Sequence, residues 1–229
     1  MRRVILSLVA IGLSVLVVVL SLVHAHGAPA HALGGSSPIP PQPVTYPNVL
    51  FLGDSITQGQ HTDDFTYDYF WQVVVGLRSR STTNAAYYLF DGVGGDTVGD
   101  YLAHLQALNL HPSNAQLIVL ELGTNDYLQN VSPATMQTNY AALLARLVAD
   151  NPQARLVALN VWGDPTAEAA YNTAIQQEAA TWTGAGGSVL VDISTLYMNP
   201  FNHWPTGDDL FHPNDNGHSA IAHAVLAAV

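Results

Sequence analysis

Four short polar segments contain the residue types that acyl transfer needs: Gly53-Asp54-Ser55-Ile56-Thr57, Gly92-Val93-Gly94-Gly95-Asp96-Thr97, Gly123-Thr124-Asn125-Asp126 and Asp209-Leu210-Phe211-His212-Pro213. That chemistry requires a nucleophilic hydroxyl, a base within hydrogen-bond reach, a carboxylate that fixes the tautomer of the base, and donors aimed at the developing oxyanion. Ser55 can attack, His212 can take its proton, and Asp209 can orient the imidazole. The backbone N–H groups of Ser55 and Gly95 and the side-chain amide of Asn125 can receive the oxyanion. Each feature also has an ordinary structural reading. Ser55 with Gln58 is a capping box, Asn125-Asp126 is common turn chemistry, and Gly94-Gly95 permits a tight turn. What carries the catalytic reading is the combination: all four segments occur in order, and three directly follow consecutive predicted strands.

Those strands are short apolar runs at 48–52, 87–90, 117–122, 155–161 and 188–193, of the kind expected when a strand is covered on both faces. Helical patterns separate them. One covers 65–78, and a second covers 97–110 with Val98, Tyr101, Leu102, Leu105 and Leu108 at helical spacing. Ser132-Pro133 and Asp164-Pro165 each supply an N-cap and a first-turn proline, to helices reaching about residues 150 and 182, and a last helix covers 217–228. Five βα units imply one α/β domain with a five-stranded parallel sheet, helices on both faces and right-handed crossovers. In such sheets the chemistry lies beyond the carboxyl ends of the strands, where three of the four polar segments fall.

Taken together, Gly-Asp-Ser at 53–55, the glycine of Gly95-Asp96-Thr97, Gly-Thr-Asn-Asp at 123–126 and Asp-x-x-His-Pro at 209–213 resemble the signature blocks of the SGNH (GDSL-like) hydrolase family, over about residues 48–229. The resemblance implies a three-layer α/β/α sandwich, flavodoxin-like in topology, and serine hydrolysis of esters. It implies Ser55, Gly95, Asn125 and His212 as the four named residues and Asp209 as the triad acid. Members act on lipids, thioesters, aryl esters and acylated sugars, so the expected partner is a small-molecule, lipid or glycan ester. The chain departs from the pattern at Gly94, where a Ser is frequent, and this leaves the backbone donor of Gly95 untouched. Asp208 is a competing acid beside Asp209, whose spacing to His212 is the matching one. No Gly-x-Ser-x-Gly elbow occurs, which argues against the α/β-hydrolase fold. An acyltransferase could use the same residues; a non-catalytic polysaccharide-binding module would need no nucleophile and base together. No cofactor is called for, and His203, His218 and His223 are read as packing or solvated rather than as metal ligands.

Composition narrows the partners. The 229 residues carry a formal charge of −11, and all six cationic side chains are Arg, so the chain lacks the basic patch that nucleic acid requires. With no Cys there is neither a disulfide framework nor a cysteine nucleophile. Arg2 and Arg3 precede an apolar run of 20 residues, 4–23, so 1–25 reads as a signal peptide or signal anchor with the domain outside. Val23-His24-Ala25 and Ala30-His31-Ala32 both suit cleavage, and 20 residues also suffice to cross a bilayer. Residues 26–47 form a Pro/Gly-rich spacer, and 48–229 the hydrolase domain. The expected location is extracellular or cell-surface, with membrane contact only through an N-terminal anchor; the sequence leaves the oligomeric state open.

Overall fold

The computed structural model describes residues 46–81, 87–204 and 211–229. Five strands, β1 (Asn48–Gly53), β2 (Tyr87–Gly92), β3 (Leu117–Glu121), β4 (Arg155–Leu159) and β5 (Ser188–Val191), form one sheet in the order β2-β1-β3-β4-β5. Every pairing is parallel. The central strands β1, β3 and β4 are apolar and buried almost throughout, as strands covered on both faces must be.

The helices are α1 (Tyr69–Arg80), α2 (Val98–Ala107), α3 (Thr124–Leu128), α4 (Pro133–Asp150), α5 (Ala169–Ala180), α6 (Ser194–Tyr197) and α7 (Asp215–Ala228). Alternate side chains of each strand feed two cores. Leu50, Leu52, Ile118 and Leu120 pack against α2, α4 and α5, whereas Val49, Phe51, Val119 and Val157 pack against α1 and α7. The result is the expected three-layer α/β/α sandwich.

Helix starts follow the sequence signals where a side chain caps them. Ser132 accepts from the Thr135 N–H at 3.1 Å with Pro133 in the first turn, and Thr97 forms a reciprocal capping box with Asp100. Two starts differ from expectation. The 65–78 pattern splits into a 3₁₀ turn, Phe65–Tyr67, and α1, because Asp68 between them is extended (φ −59°, ψ 137°) and turns its carboxylate to the Thr62 hydroxyl at 2.6 Å. The helix expected from Pro165 begins at Ala169. Asp164 caps a single turn through the Thr166 N–H (2.7 Å), and the chain restarts where Glu168 folds its side chain inward against Gly163.

The strand order reverses between β1 and β3: β1 is followed by β2 on one side, and the chain then crosses to β3 on the other. A crevice opens at such a point, beyond the carboxyl ends of the strands. Ser55 follows β1 and Asn125 follows β3, so both sit at its mouth. Among the described residues no helix is long and apolar enough to cross a membrane. The expected signal or anchor segment, 1–25, and all but the last two residues of the 26–47 spacer lie outside the described residues.

Candidate active site

The turn that carries Ser55 is built on Gly53, whose neighbours across the sheet are Gly92 and Glu121. A Cβ at position 53 would lie 2.1 Å from Thr57 Oγ1 and 2.4 Å from the Glu121 carbonyl oxygen, so a side chain here would block the turn. Asp54 then organises residues 54–60: its carbonyl accepts from the Gln58 N–H at 2.9 Å, and its Oδ1 accepts from the Ile56 N–H at 3.0 Å. The capping function that the sequence offered to Ser55 is thus performed by Asp54, in a turn rather than a helix. The Ser55 hydroxyl is left facing the His212 imidazole, with Oγ to Nε2 at 2.9 Å.

His212 arrives from the far end of the chain and is framed on both sides. The Trp162 indole N–H donates to the Phe211 carbonyl at 2.8 Å, and the Asn214 side-chain amide donates to the carbonyls of Phe201 and His203 at 3.0 and 2.6 Å. A β-bridge joins His203 and Pro213. His61 stacks on the His212 ring at 5.2 Å between centroids. Asp209 and the competing Asp208 lie outside the described residues.

The β2–α2 loop and α3 are sewn together by three contacts. The Gln129 amide donates to the Gly95 carbonyl at 2.7 Å, Asp126 Oδ2 accepts from the Val98 N–H at 2.9 Å, and Asn125 Nδ2 donates to the Asp96 carbonyl at 3.1 Å. Asn125 Nδ2 also donates to Asp54 Oδ2 at 3.0 Å, which ties this pair of segments to the turn that carries Ser55. Gly95 has φ +87°, a conformation that favours glycine, and a Cβ there would meet nothing within 4 Å. Ser55, Gly95 and Asn125 are therefore joined through Asp54, Asp96 and Gln129. In this ligand-free state both Asn125 amide hydrogens have acceptors, so donation to an oxyanion requires that one of them be shared or exchanged.

The electrostatics beneath the site are unusual for an acidic chain. Asp54 and Glu121 are wholly buried side by side, and burial pushes both carboxyls upward, Glu121 well above the usual range and further raised by Asp54. Burial likewise raises Asp126 to about 6. His218 is buried, accepts from the Tyr69 N–H at 3.2 Å and is held neutral, with burial lowering it to about 3; His223 is exposed. Among the described residues no group of three or more His, Asp or Glu could hold a metal ion. Sequence reasoning missed Trp162 as the clamp on Phe211, and it missed Glu121. The available signal for Glu121 was a lone carboxylate in the apolar strand Leu-Ile-Val-Leu-Glu.

A doubly wound α/β sandwich with a serine and a histidine in hydrogen-bond contact at its topological switch point defines the class of molecule. The GDSL-like lipase/acylhydrolase family model matches residues 51–220, and the chain belongs to that family of hydrolases. A search of curated protein sequences gives no significant match. Among solved structures, the chain is similar to LAE5, an α/β hydrolase enzyme from the metagenome of Lake Arreo, Spain (22% identity, 79% of this chain and 94% of that one, TM-score 0.61). It is also similar to the psychrotrophic esterase EstA from Pseudoalteromonas sp. (19%, 79% and 94%, 0.61). A third is Axe2, an acetylxylan esterase from Geobacillus stearothermophilus (18%, 79% and 92%, 0.61). At these identities the structures bear on the fold, which they share.

Proposed function

We propose that the protein is an exported serine esterase that hydrolyses carboxylic esters of lipids, aryl alcohols or acylated carbohydrates. The observation that carries this reading is the 2.9 Å contact between Ser55 Oγ and His212 Nε2; the N–H groups of Ser55 and Gly95 and the Asn125 amide are the donors assigned to the oxyanion in this reading. In this mechanism Ser55 Oγ attacks the acyl carbon while its proton passes to His212 Nε2. Charge accumulates on the carbonyl oxygen, which the three N–H donors receive. His212 then gives its proton to the departing alkoxide oxygen, and the alcohol leaves an acyl group on Ser55. Water enters, loses a proton to His212, attacks the acyl carbon and releases the carboxylic acid, with the proton returning to Ser55. In this reading Asp209, three positions before His212 in the sequence, is the carboxylate that would fix the imidazole tautomer by accepting from Nδ1. The substrate classes are those open to the family, and an acetylxylan esterase among the structural neighbours puts acetylated glycans in the test panel. Export rests on Arg2 and Arg3 ahead of the apolar run 4–23.

The purified protein should hydrolyse p-nitrophenyl esters, with acyl chains graded from acetate upward reporting the length preference, and Ser55→Ala should abolish turnover. Equal rates for wild type and Ser55→Ala would overturn the assignment. Fractionation should find the protein outside the cytoplasm, with the mature N-terminus near residue 26 or 33 if the segment is cleaved and at Met1 or Arg2 if it anchors; activity free in the cytoplasm would contradict export.

A further inference from the structure

We propose that Glu121 is a neutral carboxylic acid at working pH, donating its proton to the Asp54 carboxylate and so positioning the Asn125 amide and the nucleophile turn from beneath. Glu121 Oε2 accepts from Thr57 Oγ1 at 3.1 Å, which uses the only hydrogen of that hydroxyl. The 2.8 Å contact between Thr57 Oγ1 and the Tyr69 hydroxyl must then run with Tyr69 donating. Glu121 Oε1 is fully buried and meets no donor from the protein, so as an anion it would be left bare.

Asp54 is also fully buried, but its two oxygens receive N–H groups: Ile56 on Oδ1 and Asn125 on Oδ2. Two neighbouring buried anions need either a cation or a proton between them. The charged groups acting on Asp54 besides Glu121 are Asp126 and Asp96, which add repulsion. The described arginines are occupied elsewhere: Arg80 and Arg155 donate to carbonyls of α7, Arg146 donates to those of Leu105 and Leu110, and Arg78 lies over the Trp71 and Tyr88 rings. A shared proton remains. It belongs on the carboxyl that has an oxygen without a donor, Glu121, whose Oε1 then becomes the donor to Asp54, since both Asp54 oxygens already receive N–H groups. The other groups packed on Glu121, Tyr69 from α1 and Tyr140 from α4, are neutral phenols that burial keeps protonated.

The consequence for the site is mechanical. Asp54 Oδ2 holds one of the Asn125 amide hydrogens, and Asp54 Oδ1 holds the turn that presents Ser55. Glu121 is therefore a positioning residue that acts through Asp54, touching neither substrate nor nucleophile.

Infrared spectroscopy in D₂O at pH 8 tests the protonation state independently of turnover. Wild type should show the carbonyl stretch of a protonated carboxylic acid, and Glu121→Gln should lack it; its absence from wild type, or its persistence in Glu121→Gln, overturns the proposal. The kinetic arm rests on the esterase reading. Glu121→Gln replaces a neutral donor by a neutral donor and should keep kcat on an aryl ester within about threefold, whereas Glu121→Met keeps the bulk without the donor and should lose roughly 10–100-fold in kcat at little-changed KM. Equal losses in the two variants would show that the negative charge of Glu121 matters, which overturns the proposal. Should Glu121→Met not fold, the spectrum and the Glu121→Gln rate decide. Wild type without Ser55-dependent hydrolysis would defeat the esterase reading, while the spectrum would still decide the proton.

Discussion

Replacing Asn125 by Ala separates a residue that only ties loops together from one that also receives charge in the transition state. In the resting structure its amide makes two hydrogen bonds, to Asp54 Oδ2 at 3.0 Å and to the Asp96 carbonyl at 3.1 Å. Each is worth about 1 kcal/mol net, and Asp54 is left a buried acceptor short of one donor, which adds about 1–2 kcal/mol. The variant should therefore lose roughly 2–4 kcal/mol of stability; at about 2–4 °C per kcal/mol for a domain of this size, Tm should fall by roughly 5–15 °C. A loop-tying role predicts nothing more. If the amide is also exchanged onto the substrate oxyanion, kcat should fall by roughly 10²–10³ with KM little changed, because the interaction exists only once that oxygen carries charge. The assay is kcat and KM on a p-nitrophenyl ester well below the variant's Tm, with the folded fraction measured by near-ultraviolet circular dichroism on the same sample. A destabilised variant whose folded molecules turn over at the wild-type rate would refute the oxyanion role and leave Asn125 a structural tie between Asp54 and Asp96.

Two further outcomes follow from groups around the site. Trp162→Phe removes the 2.8 Å indole bond to the Phe211 carbonyl while keeping most of the buried ring, so His212 should lose positional restraint and kcat should fall about tenfold; a variant with unchanged kcat and unchanged reactivity of Ser55 would show that the clamp is dispensable. Glu168, inward-facing and 3% exposed, has its carboxyl raised by burial from 4.5 to about 7. It binds its proton more tightly folded than unfolded, so it favours the fold below about pH 4.5, and that contribution disappears as the pH rises through about 7. The rise corresponds to about 3 kcal/mol at most, and the local relaxation and water penetration that accompany ionisation of a buried carboxyl reduce this to ~1–2 kcal/mol. Denaturant titration should therefore find Glu168→Gln more stable than wild type by that amount at pH 8 and nearly equal to it at pH 4.5; a gain that is the same at both would show that the carboxyl is not buried against its charge.

How much of this was legible in the sequence depends on whether the signal was local. Buried strands announce themselves by composition, so the five apolar runs coincide with the five strands to within two residues, and Ser132-Pro133 and Thr97 mark their helices because a cap acts within one turn. The α5 start was misplaced because the capping signal at Asp164 is satisfied by a single turn, while the interruption comes from Glu168 packing on Gly163, a tertiary contact with no local mark. Ser55, Gly95, Asn125 and His212 could be singled out because each sits in a short polar segment; the contact between Ser55 and His212, 157 positions apart, is a property of the tertiary fold. Asp54 and Trp162 act through long-range contacts whose partners the sequence does not pair, and the second use of the Asn125 amide, on Asp96, is visible only in three dimensions.

The central claim, that Ser55 is a nucleophile activated by His212, is tested most directly by a fluorophosphonate probe followed by peptide mapping, since an activated serine attacks phosphorus as it attacks a carbonyl carbon. We expect a single adduct on Ser55 in the folded protein, formed far more slowly in His212→Ala and absent from Ser55→Ala. An adduct on another serine, or no adduct on a protein shown to be folded, would contradict the account.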